Sequence, residues 1–127
     1  MLPAESSPAS DAWQVICLCA GWCGVCREWQ APFQQAAQAH PDVHFAWVDV
    51  EDEADAMGDY EVETFPTVLI ARGDTVCFLG PIAPSGTQLT RLIGSLQAQP
   101  QAAAALPEGS AGLLSRLAAK ALAGPRL

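Results

Sequence analysis

Two cysteines, Cys23 and Cys26, stand where an apolar run gives way to a helical pattern. Thiol–disulfide exchange needs a thiolate that attacks a disulfide and a second thiol that resolves the mixed intermediate. Residues at i and i+3 of a helix share one face, which brings two such sulfurs towards disulfide geometry. Unpaired backbone N–H groups at a helix start favour an anion there, so Cys23 is the expected nucleophile. Cys26, one turn deeper, is the expected resolving thiol. The same cysteines raise a zinc reading, because Cys23-x2-Cys26-x13-His40-x3-His44 fits a two-cysteine, two-histidine spacing. If the chain from Cys26 to His40 is helical, its ends lie about 21 Å apart, too far to share one ion. Pro41 also separates the histidines, so no metal is expected. His40 reads as a cation near a helix C-terminus, and His44 as a surface strand residue.

The chain that must position this pair has 127 residues, half of them apolar, and a formal charge of −8. That length suits one compact domain plus a tail. The acidic balance disfavours nucleic acid or an anionic membrane surface as the main partner. Charge is uneven along the chain: all 14 acids precede residue 111, whereas Arg116, Lys120 and Arg126 follow it without an acid. No apolar stretch approaches the roughly 18 residues of a membrane span. Residues 1–11 carry no basic segment followed by an apolar run. The expectation is a cytoplasmic protein without a membrane partner. In a reducing compartment, five cysteines suit redox, metal or burial roles better than a disulfide framework.

The first elements follow from pattern. Residues 1–11 read as a disordered leader and 12–98 as the domain. Trp13–Ala20 is a buried strand, followed by a helix from about Cys23 to Ala39 with Trp29, Phe33, Ala36 and Ala37 on one face. Val43–Val50 is a second strand, and Asp52–Met57 a short acidic helix closed near Gly58. Thr67–Ala71 and Thr75–Leu79 form a hairpin across Arg72-Gly73-Asp74. Ser85 or Thr87 caps a helix to about Ala98. A linker over 99–109 leads to a basic amphipathic helix and tail over 110–127, the helix running from about Ser110 to Ala123 with the stripe Leu113, Leu114, Leu117, Ala121 and Leu122. That stripe predicts docking on the chain's own domain or on a partner. The order implies a mixed α/β sheet with helices on both faces.

Trp22-Cys23-Gly24-Val25-Cys26 at a strand-to-helix junction, Thr64-Phe65-Pro66-Thr67 before the third strand, and the closing hairpin and helix together resemble the thioredoxin family. The resemblance covers about residues 13–98. It implies a cis Pro66 against the cysteine pair. It also implies a substrate groove made by Trp22, Gly24, Val25, Phe65, Pro66 and Thr67, and it matches Gly80 to a glycine after the last strand. Thioredoxin itself carries a further strand and helix before the segment that here begins at Trp13. The implied fold is therefore a four-stranded mixed sheet flanked by helices, lacking that first strand and helix, with Val43–Val50 at an edge.

Cys17 replaces the family's buried acid, and Trp47 replaces the lysine partnered with it, so both are candidate modulators of proton transfer. By the same resemblance Cys17 is expected beside Cys26, beneath the active site. The implied function is reduction or exchange of protein disulfides through Cys23 and Cys26. It needs no bound cofactor, and a thioredoxin reductase or glutathione system supplies the electrons. The alternative is a thioredoxin-like adaptor or redox sensor with little turnover. Cys77 reads as a small buried apolar residue, and the acidic stretch Asp49–Glu63 as a solvated face or a selector of basic partners.

Overall fold

The computed structural model describes residues 12–58, 60–73, 75–98, 106 and 109–121. The leader 1–11, most of the linker and the last residues of the tail lie outside these. So do the side chains of Ala121 and Leu122. Strand β1 (Trp13–Cys19) leads into helix α1 (Gly24–Ala39) and strand β2 (Val43–Asp49). A single turn of helix, α2 (Ala54–Met57), precedes the hairpin β3 (Thr67–Arg72) and β4 (Thr75–Pro81). Helices α3 (Gly86–Ala98) and α4 (Ser110–Ala121) follow.

The sheet order is β2-β1-β3-β4, with β1 parallel to β2 and antiparallel to β3. β1 is thus central and β2 is an edge strand. Six of the seven β1 residues are buried, because a strand covered on both faces needs an uninterrupted apolar run. Alternation then sorts its side chains. Val15, Cys17 and Cys19 face α1 and α3, where Trp29, Phe33, Leu89 and Ile93 pack. Ile16 and Leu18 face the other way, towards α2 and α4, against Met57, Leu113 and Leu117.

α1 runs on through Pro32. Ser85 caps α3, its hydroxyl accepting from the Gln88 N–H at 3.3 Å. β4 extends to Pro81, so Gly80 lies inside the strand, paired with Val68, and not after it as expected. The β3 hydrogen-bond ladder carries the strand past the end that apolarity alone marks. Cys77 is buried beside an irregularity in the β3–β4 ladder.

The basic C-terminal helix docks on its own domain. Leu113, Leu114 and Leu117 are buried in the second core, and Arg116 Nε donates to the Ala56 carbonyl at 2.7 Å. α4 covers the sheet face that the four-residue α2 is too short to cover.

Candidate active site

β1 ends at Cys19, and the chain turns through Ala20, Gly21 and Trp22 into α1. Cys23 is the N-cap, with extended backbone at φ −85° and ψ 121°, and its N–H donates to the Ala20 carbonyl at 3.1 Å. Its side chain is half-buried, whereas Cys26 is buried on the inner face of the first turn. The turn is held from outside. The Asp49 carboxylate accepts from the Gly21 N–H at 3.0 Å and from the Glu51 and Asp52 N–H groups at 2.8 and 3.2 Å. Glu51 accepts from the Trp22 indole N–H at 2.8 Å. Arg27 reaches back to donate to the Gly21 carbonyl at 3.0 Å.

The proline segment faces this turn. The Phe65–Pro66 peptide bond is cis. Thr67 pairs with Leu18 in the β1–β3 ladder, so Pro66 and Cys19 stand one step beyond that pair. The Phe65 ring meets Trp22 edge to face, with centroids 5.6 Å apart. Thr67 Oγ1 donates to the Thr64 carbonyl at 2.7 Å, and the Pro66 carbonyl accepts from the Ile82 N–H at 3.0 Å. Pro66 and Thr67 are buried and Phe65 is half-buried, whereas Trp22 and Val25 are 63% and 43% exposed. An exposed apolar surface of this kind beside a thiol suits contact with another protein. Gly24 is exposed next to Val25.

A disulfide joins Cys26 to Cys19, not to Cys23, and Cys23 is a free thiol. Nor is Cys17 the bonded neighbour of Cys26. Cys17 and Cys19 share the α1 face, but Cys19 is two residues nearer the strand end, where α1 begins. It therefore underlies the first helical turn. Cys17 lies deeper, its S–H directed at the Cys19 sulfur 3.8 Å away. Burial pushes the Cys17 thiol up from 9.0 to about 12, opposed only weakly by the Trp29 side chain. Trp47 is the direct β2 partner of Cys17 and packs its ring 5.6 Å from Phe33.

Cys19, Asp49 and Glu51 are site residues that the sequence reading passed over. The parallel register pairs Cys19 with Asp49, so an acid at the end of β2 meets the turn after β1. The acidic stretch thus begins with a clamp and not a solvated face. An Asp two residues before the N–H it binds is a local turn signature that marks this position.

The zinc reading finds no support in the geometry: Cys26 and His40 belong to opposite ends of α1. His40 Nδ1 lies 2.8 Å from the Ala36 carbonyl, and His44 is half-buried, not on the surface. Among the described residues no three His, Cys, Asp or Glu side chains are grouped to hold a metal. No described helix is long and apolar enough to cross a membrane.

The family model described as Thioredoxin matches residues 7–86. A protein assigned as thioredoxin 2 of Streptomyces coelicolor is 33% identical over 90 residues, covering 71% of this chain and 67% of its own. Thioredoxin H2-1 of Oryza sativa is 39% identical over 59 residues, covering 46% of this chain and 43% of its own. The crystal structure of oxidised mitochondrial thioredoxin 3 from Saccharomyces cerevisiae superposes with a TM-score of 0.60 at 30% identity, over 69% of this chain and 82% of that one. The chain therefore spans about two thirds of the first curated relative's length and under half of the second's.

Proposed function

The chain belongs to the thioredoxin family of thiol–disulfide oxidoreductases, and from that premise we propose that it reduces or exchanges disulfides of protein substrates through Cys23 and Cys26. The observation that carries the reading is the half-buried Cys23 thiol at the α1 N-cap, one turn from a Cys26 sulfur already engaged in a disulfide. Cys23 attacks the substrate disulfide and forms a mixed disulfide, with one substrate thiolate leaving. Cys26, once reduced, attacks Cys23 Sγ and releases the second substrate thiol. The substrate gains two electrons and the protein a disulfide. Trp22, Val25 and Phe65 supply the apolar platform on which an extended substrate rests, with Gly24, Pro66 and Thr67 completing the groove.

Regeneration falls to an external reductant of the thioredoxin reductase or glutathione type. A reducing compartment, the cytoplasm, is the setting in which such a cycle runs towards reduction. The test is reduction of insulin by the full chain with dithiothreitol, followed by turbidity. Cys23→Ser should lower the rate to the uncatalysed background. Cys26→Ser should accumulate Cys23–substrate mixed disulfides detectable by mass spectrometry. Wild-type protein no faster than dithiothreitol alone would overturn the reading.

A further inference from the structure

We propose that Cys19 is a third catalytic thiol, which takes Cys26 over from Cys23 and returns Cys23 to its free state after the pair has been oxidised. The inference rests on the oxidoreductase reading above and extends it. Three observations carry it. Cys26 is bonded to Cys19, with Cα atoms 5.8 Å apart. Cys26 also follows Cys23 by three residues at the start of α1, the spacing of neighbours on one helical face. Finally, Cys19 is 0% and Cys26 1% exposed, whereas Cys23 is half-buried and free. The disulfide that results from this handover is sealed from water, and the nucleophile left behind is not.

The step balances without an external oxidant. After the first cycle the protein holds a Cys23–Cys26 bond. The Cys19 thiolate attacks Cys26 Sγ, the Cys19–Cys26 bond forms, and the Cys23–Cys26 bond breaks with its electron pair on Cys23. One disulfide replaces another, and the proton lost by Cys19 is matched by the one Cys23 takes up. Cys17, the other sulfur near Cys19, lies two residues deeper along β1, away from the strand end where α1 begins and where Cys19 meets Cys26, so its position keeps it from competing. The oxidised chain then keeps one reactive thiol with no resolving partner. Cys23 attacks a low-molecular-weight disulfide such as oxidised glutathione, keeps one half as a mixed disulfide and releases the other as a thiolate. The oxidised protein is thereby a single-thiol acceptor, where a two-cysteine site would be inert.

Chymotrypsin decides the matter, because cleavage after Trp22 separates Cys19 from the peptide that carries Cys23 and Cys26. The reduced full chain is oxidised with one equivalent of diamide, quenched in acid, blocked with N-ethylmaleimide, digested and mapped by mass spectrometry. In most molecules the Cys19 peptide should be disulfide-linked to the Cys23–Trp29 peptide, with the maleimide on Cys23. Oxidised glutathione added before the block should replace that maleimide with a glutathione adduct. Cys19→Ala should move the bond inside the Cys23–Trp29 peptide and abolish the adduct. If this variant does not fold, the wild-type map alone still decides. A wild-type bond inside the Cys23–Trp29 peptide, with the maleimide on Cys19, overturns the role of Cys19. Insulin reduction on the same preparation separates the two readings. Reduction together with that map removes only Cys19 from the mechanism. No reduction and no oxidised pair removes the oxidoreductase itself.

Discussion

At Trp22 and Asp49 the environment of single side chains sets what the surface around Cys23 can do. Trp22 is 63% exposed, yet its ring is fixed by Phe65 on one side and by Glu51 on its indole nitrogen. Exposed and pre-ordered aromatic surface costs little entropy when a partner covers it. Trp22→Ala should therefore raise KM for insulin severalfold while shifting the thermal midpoint little. Asp49→Ala removes the acceptor shared by three backbone N–H groups. It should cost about 1–3 kcal/mol in urea denaturation, with Asp49→Asn recovering part of the loss. Cys17 sets a pH dependence. Its thiol is held up to about 12 in the folded chain against 9.0 without burial. Above pH 9 the unfolded chain therefore binds fewer protons than the folded one, and stability falls as pH rises. The slope reaches up to about 1.4 kcal/mol per pH unit between those values. Burial raises Cys77 and Tyr60 in the same direction, so Cys17→Ala should flatten the alkaline loss without abolishing it. Denaturation midpoints at pH 8 and pH 11 measure the difference.

Among the elements, α2 is too short to persist by propensity. Helices below about 12 residues are marginal in water, and α2 has four. Its last carbonyls are capped from a distance by Arg116 of α4, which donates to Ala56 and Met57. Gly58 lies against that guanidinium at φ +61°, and a Cβ there would fall 2.7 Å from Arg116 Nη2. Gly58→Ala should destabilise the chain by about 1–3 kcal/mol through backbone strain, before any displacement of Arg116. Arg116→Met, which keeps the apolar stem, should isolate the loss of the cap. Hydrogen exchange at the Met57 and Gly58 amides would register it first. The turn glycine was legible in the sequence as a helix stop. The partner that makes it necessary comes from nearly sixty residues away and leaves no local pattern.

For the molecule as a whole, two faces of one sheet carry different tasks. The α1 and α3 face holds the sulfur cluster and the large aromatics. The α2 and α4 face holds mainly aliphatic and small residues, with Met57 among them and Tyr60 packed against them. α4 completes the second face, with Leu113 and Leu117 at 0% exposure. Leu117→Ala should cost about 2–5 kcal/mol, measured by urea unfolding. Insulin reduction by the molecules that remain folded should persist, because Cys23, Cys26 and Phe65 pack with the opposite face. A comparable loss of turnover per folded molecule would mean that α4 supports the site directly.

The family resemblance marked β2 as an edge strand, and the sequence by itself determined the element order, the four strands, the place of Cys23 at a helix start and the apolar stripe of α4. Each of these is written in residues close together in the chain: alternation, helical period, caps and turn glycines. Tertiary structure decided which sulfur Cys26 meets, which acid clamps the turn and what covers the second face. Those outcomes depend on strand register and on where a helix lands upon a sheet. Cys17 and Cys19 are equivalent by alternation, and a displacement of two residues along β1 selects Cys19. Asp49 joins the site only because β2 runs parallel to β1 and ends beside it. A periodic pattern records which face a side chain takes, but not how far along that face its partner will lie.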